Sequence, residues 1–247
     1  MFTLERVHAL EILDSRGRPT VQTSCWLRGG AHATASVPSG ASTGTAEALE
    51  LRDGDPRRYR GLGCRRAVSH VNDAIHRALA GQTFGSQAEL DRALQDLDGT
   101  PNKSRLGANA ILSVSLAFAR AAAAQQALPL YRYFAGLTGE TPRTLPRPTI
   151  NLFSGGKHAG AQAPIQDVLV VPVSARTVDE GLAMTFAVYQ AAATLTLQRY
   201  GMRLLRADEG GLAPPFPDAE TSTAGDARRG APCHTAGQLP PAGLFQR

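Results

Sequence analysis

Between Leu4 and Val37 apolar and polar side chains alternate in three short runs separated by dense turn signals. The first run, Leu4 to Leu13, meets Asp14-Ser15-Arg16-Gly17-Arg18-Pro19. The second, Thr20 to Leu27, meets Arg28-Gly29-Gly30, and the third runs from Ala31 to Val37. A two-residue period places alternate side chains on opposite faces, as a half-buried strand requires. Turns this short join neighbours only in antiparallel fashion, so the three runs predict a meander. After Gly44 the period changes. Arg65 to Leu79 sets Ala67, Val68, Val71, Ile75 and Leu79 on one helical face. Ser86 to Leu97 predicts a second helix, with Ser86 and Glu89 spaced as a capping box. Asn109 to Gln126 is apolar on most sides and predicts a buried helix; Leu130 to Leu137 predicts a short one. Strands followed by a run of helices make an α+β unit.

Thr141 to Pro148 holds three prolines without apolar periodicity and reads as a linker. Beyond it, Thr149 to Phe153 and Ile165 to Val173 read as buried strands. Thr177 to Tyr200 reads as a long helix with Leu182, Phe186, Tyr189, Ala193 and Leu197 on its inner face. Arg203 to Ala207 reads as a short strand that delivers Asp208 and Glu209 at its end. Strand, helix, and strand with carboxylates at its end is how a β/α barrel opens, since barrel active sites lie at the C-terminal strand ends. From Thr221 onward there is no Val, Ile, Lys or Glu and no period of either kind. That composition predicts disorder over 221–247, and a shifted reading frame in a GC-rich gene would produce it.

Composition narrows the function classes. The net charge of +5 over 247 residues is scattered, without interleaved aromatics. A nucleic-acid partner is therefore not expected. The local cluster Arg57-Arg58-Tyr59-Arg60 with Arg65-Arg66 reads as a solvated loop and helix start. The start, Met1-Phe2-Thr3-Leu4-Glu5-Arg6, is charged where a signal peptide is apolar. The longest apolar stretch, Ala108 to Ala124, is broken by Asn109, serines and Arg120, so no membrane association is expected. Cys25, Cys64 and Cys233 are odd in number and far apart, unlike a disulfide framework. A cytoplasmic location is expected.

Two segments carry chemistry. Ser39-Gly40-Ala41-Ser42-Thr43-Gly44 is a glycine-rich hydroxyl loop directly after an apolar run. Asp208-Glu209-Gly210-Gly211 is a carboxylate pair followed by two glycines. Taken alone, the first is an ordinary turn and the second a solvated strand end. Before them stands Glu11-Ile12-Leu13-Asp14-Ser15-Arg16-Gly17, and between them Glu47 to Asp53, Leu97 to Leu112, and Gly155-Gly156-Lys157-His158-Ala159-Gly160. In this order the runs resemble the enolases, from residue 4 to about residue 220.

The resemblance implies an α+β N-terminal cap domain, an antiparallel meander plus helices, over residues 1–140. A linker at 141–148 and the first part of an enolase-type β/α barrel at 149–220 follow, the barrel incomplete. It implies a glycolytic lyase, phosphopyruvate hydratase, that converts 2-phosphoglycerate to phosphoenolpyruvate with Mg²⁺. It also implies a phosphorylated three-carbon acid substrate and an enolase-type dimer. By position, Ser42 corresponds to the mobile-loop serine that holds the second Mg²⁺, in a loop of Ser39, Gly40, Ala41, Ser42, Thr43 and Gly44. His158 and Gln166 correspond to substrate-binding residues, and Glu209 to the acid that assists departure of hydroxide. Asp167 stands where the family usually has Glu. One methylene fewer displaces a carboxylate by more than about 1 Å, enough to disturb proton transfer.

The family's three carboxylates for the first Mg²⁺, its base lysine and its phosphate-gripping His-Arg-Ser segment come from later barrel strands. No counterpart is found here: Lys103 falls in the cap and Lys157 in the first barrel loop. A complete barrel takes about 250 residues, and only about a third of that follows the linker. The reading is a truncated enolase-type chain without turnover by itself. The alternative is a non-catalytic protein that pairs with a full-length enolase subunit.

Overall fold

The computed structural model describes residues 1–40, 44–156, 165–200, 206–207 and 210–215. The chain separates into two compact units, Met1–Arg143 and Thr144–Arg247.

In the first unit the meander forms as β1 (Phe2–Leu13), β2 (Pro19–Leu27) and β3 (His32–Ser36), each antiparallel to the next. A two-residue strand, β4 (Thr83–Phe84), adds to the other edge by pairing with Phe2 and Thr3. Sheet order is therefore β3-β2-β1-β4. The strands are amphipathic: Leu4, Val7, Ala9, Val21, Cys25 and Leu27 are buried, whereas Leu10 faces out. Against the buried face lies α4 (Ala108–Gln125), whose alanines allow close approach over both β2 and β3. Phe118, at 0% exposure, is its anchor. Its ring meets those of Phe2 and Phe84 edge to face, at 5.7 and 5.9 Å between centroids. Among the described residues no single helix is both long and apolar enough to cross a membrane. The apolar character of α4 is that of a core helix.

The helix predicted over 65–79 is continuous but not uniform. It runs as α1 (Arg65–His70), a π turn (Val71–Ile75) and α2 (His76–Leu79). The edge of β1 explains a use for the wider turn. Beyond Thr3 that edge lacks a strand partner, and buried backbone groups left unpaired are costly. Asn72 supplies both missing bonds: its Oδ1 accepts from Ala9 N–H at 2.7 Å and its Nδ2 donates to Ala9 O at 3.1 Å. Val7 N–H donates to His76 Nδ1.

The Ser86 cap of α3 (Gln87–Asp98) is present, with Glu89 N–H donating to Ser86 Oγ at 3.2 Å. Such a cap is worth about 1 kcal/mol. The Glu89 carboxylate reaches one residue further back than in a capping box, to Gly85 N–H at 2.7 Å. The helix ends at Gly99, φ 68°, in the left-handed turn that glycine takes most easily. A short helix, α5 (Leu130–Thr138), completes the unit.

Three carboxylates of this unit are held below their ordinary values. The side chain of Arg58 donates to Glu11, and Cys64 N–H adds a second bond, against the opposing effect of burial. Asp14 is lowered first by the Arg18 backbone N–H and then by Arg16. Burial pushes Asp98 up, but bonds from the Thr100 hydroxyl and from Leu106 and Thr100 N–H outweigh it. A depressed folded value means that the charged form is favoured by folding. This stabilisation is complete above the unfolded values, near 4.5 for Glu and 3.8 for Asp, and is lost as pH falls through the folded ones. The urea midpoint of the unit is therefore expected to hold from neutrality to about pH 5 and to drop steeply below about pH 4. A midpoint unchanged down to pH 3 would contradict the assignment.

In the second unit, β5 (Ile150–Ser154) and β6 (Asp167–Val170) form an antiparallel pair with a bulge between Asn151 and Phe153. β6 is shorter than the predicted strand over 165–173. Thr177 caps α6 (Val178–Tyr200): Glu180 N–H donates to Thr177 Oγ1 at 3.1 Å. The predicted inner face of α6 is corrected. Ala193 is buried, but Leu182, Phe186 and Leu197 are 59%, 67% and 47% exposed. The described strands offer α6 a narrow platform. It covers them with Val188, Tyr189, Ala192, Ala193 and Tyr200, and Gly181 packs on Pro172 and Ala175. Most of the predicted strand 203–207 lies outside the described residues. Arg206 bridges Leu212 antiparallel, and it is Leu212 that lies parallel to β5, opposite Phe153. The expected tail, 221–247, is also outside the described residues.

Candidate functional site

Each unit holds one part of the predicted site. In the first, the chain leaves β3 through Val37 and Pro38 and reaches Ser39, which is gripped from three sides. Ser39 Oγ donates to Glu50 Oε2 at 3.1 Å and accepts from Arg52 Nη2 at 2.9 Å. Its carbonyl accepts from Arg16 Nη2. Each guanidinium is itself aimed. Asp14 holds Arg16 through Oδ2 at 3.3 Å and fixes the turn by accepting Arg16 N–H and Arg18 N–H, both at 2.8 Å. Glu50 Oε1 holds Arg52 Nη2 at 2.6 Å, while Arg52 Nη1 donates to the carbonyls of Pro19 and Leu62, each at 2.7 Å. Charge-assisted bonds to partly buried groups are the stronger kind. The glycine-rich loop therefore starts from a fixed, charge-balanced point.

The segment bearing Glu50 and Arg52 is placed by the run Leu97 to Leu112. Leu49 N–H donates to Asn102 O at 2.7 Å, and Ala108 N–H to Leu49 O at 2.8 Å. The Asn109 amide clasps Leu51 at both backbone groups, each at 3.1 Å. Gly107 takes φ 96°, and a methyl there would come within 2.5 Å of Leu51 Cβ. Glycine is required on both counts.

Of the predicted loop, Ser39, Gly40 and Gly44 are described, while Ala41, Ser42 and Thr43 lie outside the described residues. Gly44 O accepts from Glu47 N–H at 3.4 Å.

In the second unit the structure sets Gln166 and Asp167 beside the end of β5. Gly155 N–H donates to Gln166 O at 2.6 Å. Gly156, φ 56°, passes Gln166 so closely that a methyl would touch its Cα at 3.7 Å. The Gln166 side chain is exposed and Asp167 is half-buried. Asp167 Oδ1 accepts from Asn151 Nδ2 at 2.8 Å. In register Asp167 faces Ser154, not Asn151, so the contact is diagonal, next to the bulge. Bulges commonly re-aim side chains in this way beside functional sites.

Among the described residues, two buried oxygens here, Asn151 Oδ1 and Ser154 Oγ, find no hydrogen-bond partner. Both crowd Gly211, where a methyl would come within 2.5 Å of Ser154 Oγ and 2.9 Å of Asn151 Oδ1. Gly210 N–H donates to Ala207 O, and Ala207 N–H to Gly211 O, each at 2.9 Å, closing a tight turn. Asp208, Glu209 and His158 lie outside the described residues.

Asn151, Ser154, Arg16, Glu50 and Arg52 were not singled out from the sequence. The signal for Arg16 was present, in a run read as a turn and as part of the family resemblance but given no role of its own. Nothing local marks a serine and an asparagine inside an apolar strand as site residues. Among the described residues no group of three or more His, Cys, Asp or Glu side chains is arranged to hold a metal. Asp167 with two neutral oxygens falls short of a Mg²⁺ site, which needs octahedral oxygen ligands built around carboxylates, phosphate and water.

Comparison with known families covers both units. The model of the enolase N-terminal domain matches residues 4–134. The model of the enolase C-terminal TIM barrel domain matches residues 142–226.

Proposed function

This chain belongs to the enolase family, and from that membership we propose that its chemistry is the dehydration of 2-phosphoglycerate to phosphoenolpyruvate. Members of the family act on phosphorylated acids with a divalent metal ion, and Mg²⁺ is the ion proposed for the complete site. Its chemistry there is to stabilise the charge of the enolate. The observation that carries the reading is the convergence of Gln166, Asp167 and the Gly210-Gly211 turn on the end of β5. Gln166 and Asp167 take the acid end of the substrate, and His158 the phosphate and hydroxyl end. Glu209 gives its proton to the departing C3 hydroxide. Ser42 closes over the substrate, with Ser39 as the loop's fixed point.

These 247 residues are proposed to lack turnover by themselves. Neither Lys103 nor Lys157 stands where the family has its base lysine. A second reading, a non-catalytic protein pairing with a full-length enolase subunit, is favoured by one observation. Residues 1–143 hold their own continuous core, from Phe2 to Tyr133.

Role assignment is tested in a chain completed with the remaining barrel strands. Glu209→Gln is expected to lower turnover by about a hundredfold or more, as loss of a general acid does. Exchange of the C2 proton with solvent should survive. Loss of exchange together with turnover would place Glu209 in enolate formation instead.

A further inference from the structure

The loop from Asp53 to Arg66 is solvated and runs into α1 at Arg65, as its composition suggests, but it is also held in a defined shape. It is closed at its neck, with Asp53 N–H donating to Gly63 O at 2.8 Å and Gly54 N–H to Gly61 O at 3.0 Å. One carboxylate organises the base. Asp53 accepts from Arg65 N–H at 3.0 Å and Arg66 N–H at 2.9 Å, and stands 3.7 Å from Arg58 Nη1. Gly63 has no space for a side chain, because a methyl would collide with Asp53 Oδ2 and Arg58 Nη1. Arg58 also pairs with Glu11, and its guanidinium lies 4.5 Å over the Tyr59 ring.

At the tip, Tyr59 and Arg60 both take positive φ, 49° and 53°. Bulky residues avoid that region, and two in succession persist only where their surroundings impose it. The result is display. Tyr59 and Leu62 are 45% and 41% exposed, with Arg57, Arg60, Arg65 and Arg66 exposed around them. Arg57 has Asp55; Arg60, Arg65 and Arg66 make no ion pair among the described residues.

We infer that this rigid loop is a docking surface for an acidic segment of a partner protein, with an apolar side chain set among its carboxylates. Guanidinium groups pair bidentately with carboxylates, and Tyr59 and Leu62 offer the apolar contact. A peptide fits better than a nucleic-acid strand. One face of Tyr59 is already covered by Arg58, which removes a stacking platform for bases, whereas Leu62 offers the apolar contact a peptide side chain can fill.

The test is fluorescence anisotropy of the full chain with a short dye-labelled peptide of alternating Glu and Ser around a central Phe. The triple variant Arg60→Gln, Arg65→Gln, Arg66→Gln should lose about tenfold or more in affinity. A control with the same charge loss, Arg28→Gln, Arg92→Gln, Arg120→Gln, should stay within about twofold, since isolated surface charges contribute little. Replacing the peptide's Phe by Ala should weaken binding several-fold. Equal losses in the two variants would show net-charge attraction and overturn the proposal. So would an undiminished triple variant, indifference to the Phe, or stronger binding of a single-stranded oligonucleotide of equal charge. Matching far-ultraviolet spectra and melting of the variants establish that all are folded.

Discussion

Phe118→Ala is expected to destabilise the first unit by about 3–5 kcal/mol, the range for removing a large aromatic side chain from a core. Phe118 is fully buried, and it is the ring on which Phe2 of β1 and Phe84 of β4 both close. Strand pairing between them is short, at Phe2 and Thr3, extended only by the bonds of Leu4 to Gly81 and Gln82. Collapse into the vacated space is limited, because α4 is already seated through small alanines and cannot move closer without colliding with β2 and β3. A domain of this size has a total stability of roughly 5–15 kcal/mol, so the loss takes a large share of it. Trp26 is the chain's single tryptophan and lies on β2. Its fluorescence therefore follows this unit alone through a urea titration. Leu112→Ala, on the same helix but 43% exposed, should change the midpoint little. A Phe118→Ala loss below about 1 kcal/mol would mean that the three rings are not a shared anchor.

The same contacts mark how far the sequence could be read. The meander was legible because its period is two and its turns are marked by glycine, aspartate and proline. The buried helix α4 was legible because it is apolar all round. β4 was not, since a dipeptide has no period. Nor was the π turn, because the one extra residue enclosed by each of its bonds leaves the apolar spacing over 65–79 unbroken. The apolar stripe of α6 was visible, but which stripe meets the strands depends on neighbours distant in sequence. Leu182 and Phe186 lost that position to Val188 and Ala192.

The functional parts divide in the same way. Gln166 and Asp167 stand out by resemblance. The grip on Ser39 does not, since Arg16 and Arg52 meet it from 23 and 13 positions away in the chain. Only the β1–β2 turn and the segment clasped by Asn109 bring them together. The Asn151–Asp167 pair depends on the diagonal contact beside a bulge, which no pattern in the strand announces. Tyr59 and Arg60 give no sign in the sequence of the backbone they adopt.

The central proposal is that these residues carry the substrate-side groups of an enolase-type site without the means to abstract the C2 proton. Gln166, Asp167 and the Gly210-Gly211 turn are grouped at the end of β5, and no lysine other than Lys103 and Lys157 exists in the chain. Without a base, binding groups alone cannot supply an acceleration that in enzymes exceeds about a millionfold. The direct measurement is the absorbance of phosphoenolpyruvate formed from 2-phosphoglycerate by the purified 247-residue chain with Mg²⁺ in excess, in material freed of host enolase. The expected result is no formation above the uncatalysed rate. Steady formation proportional to chain concentration, and abolished by Asp167→Asn, would contradict the claim.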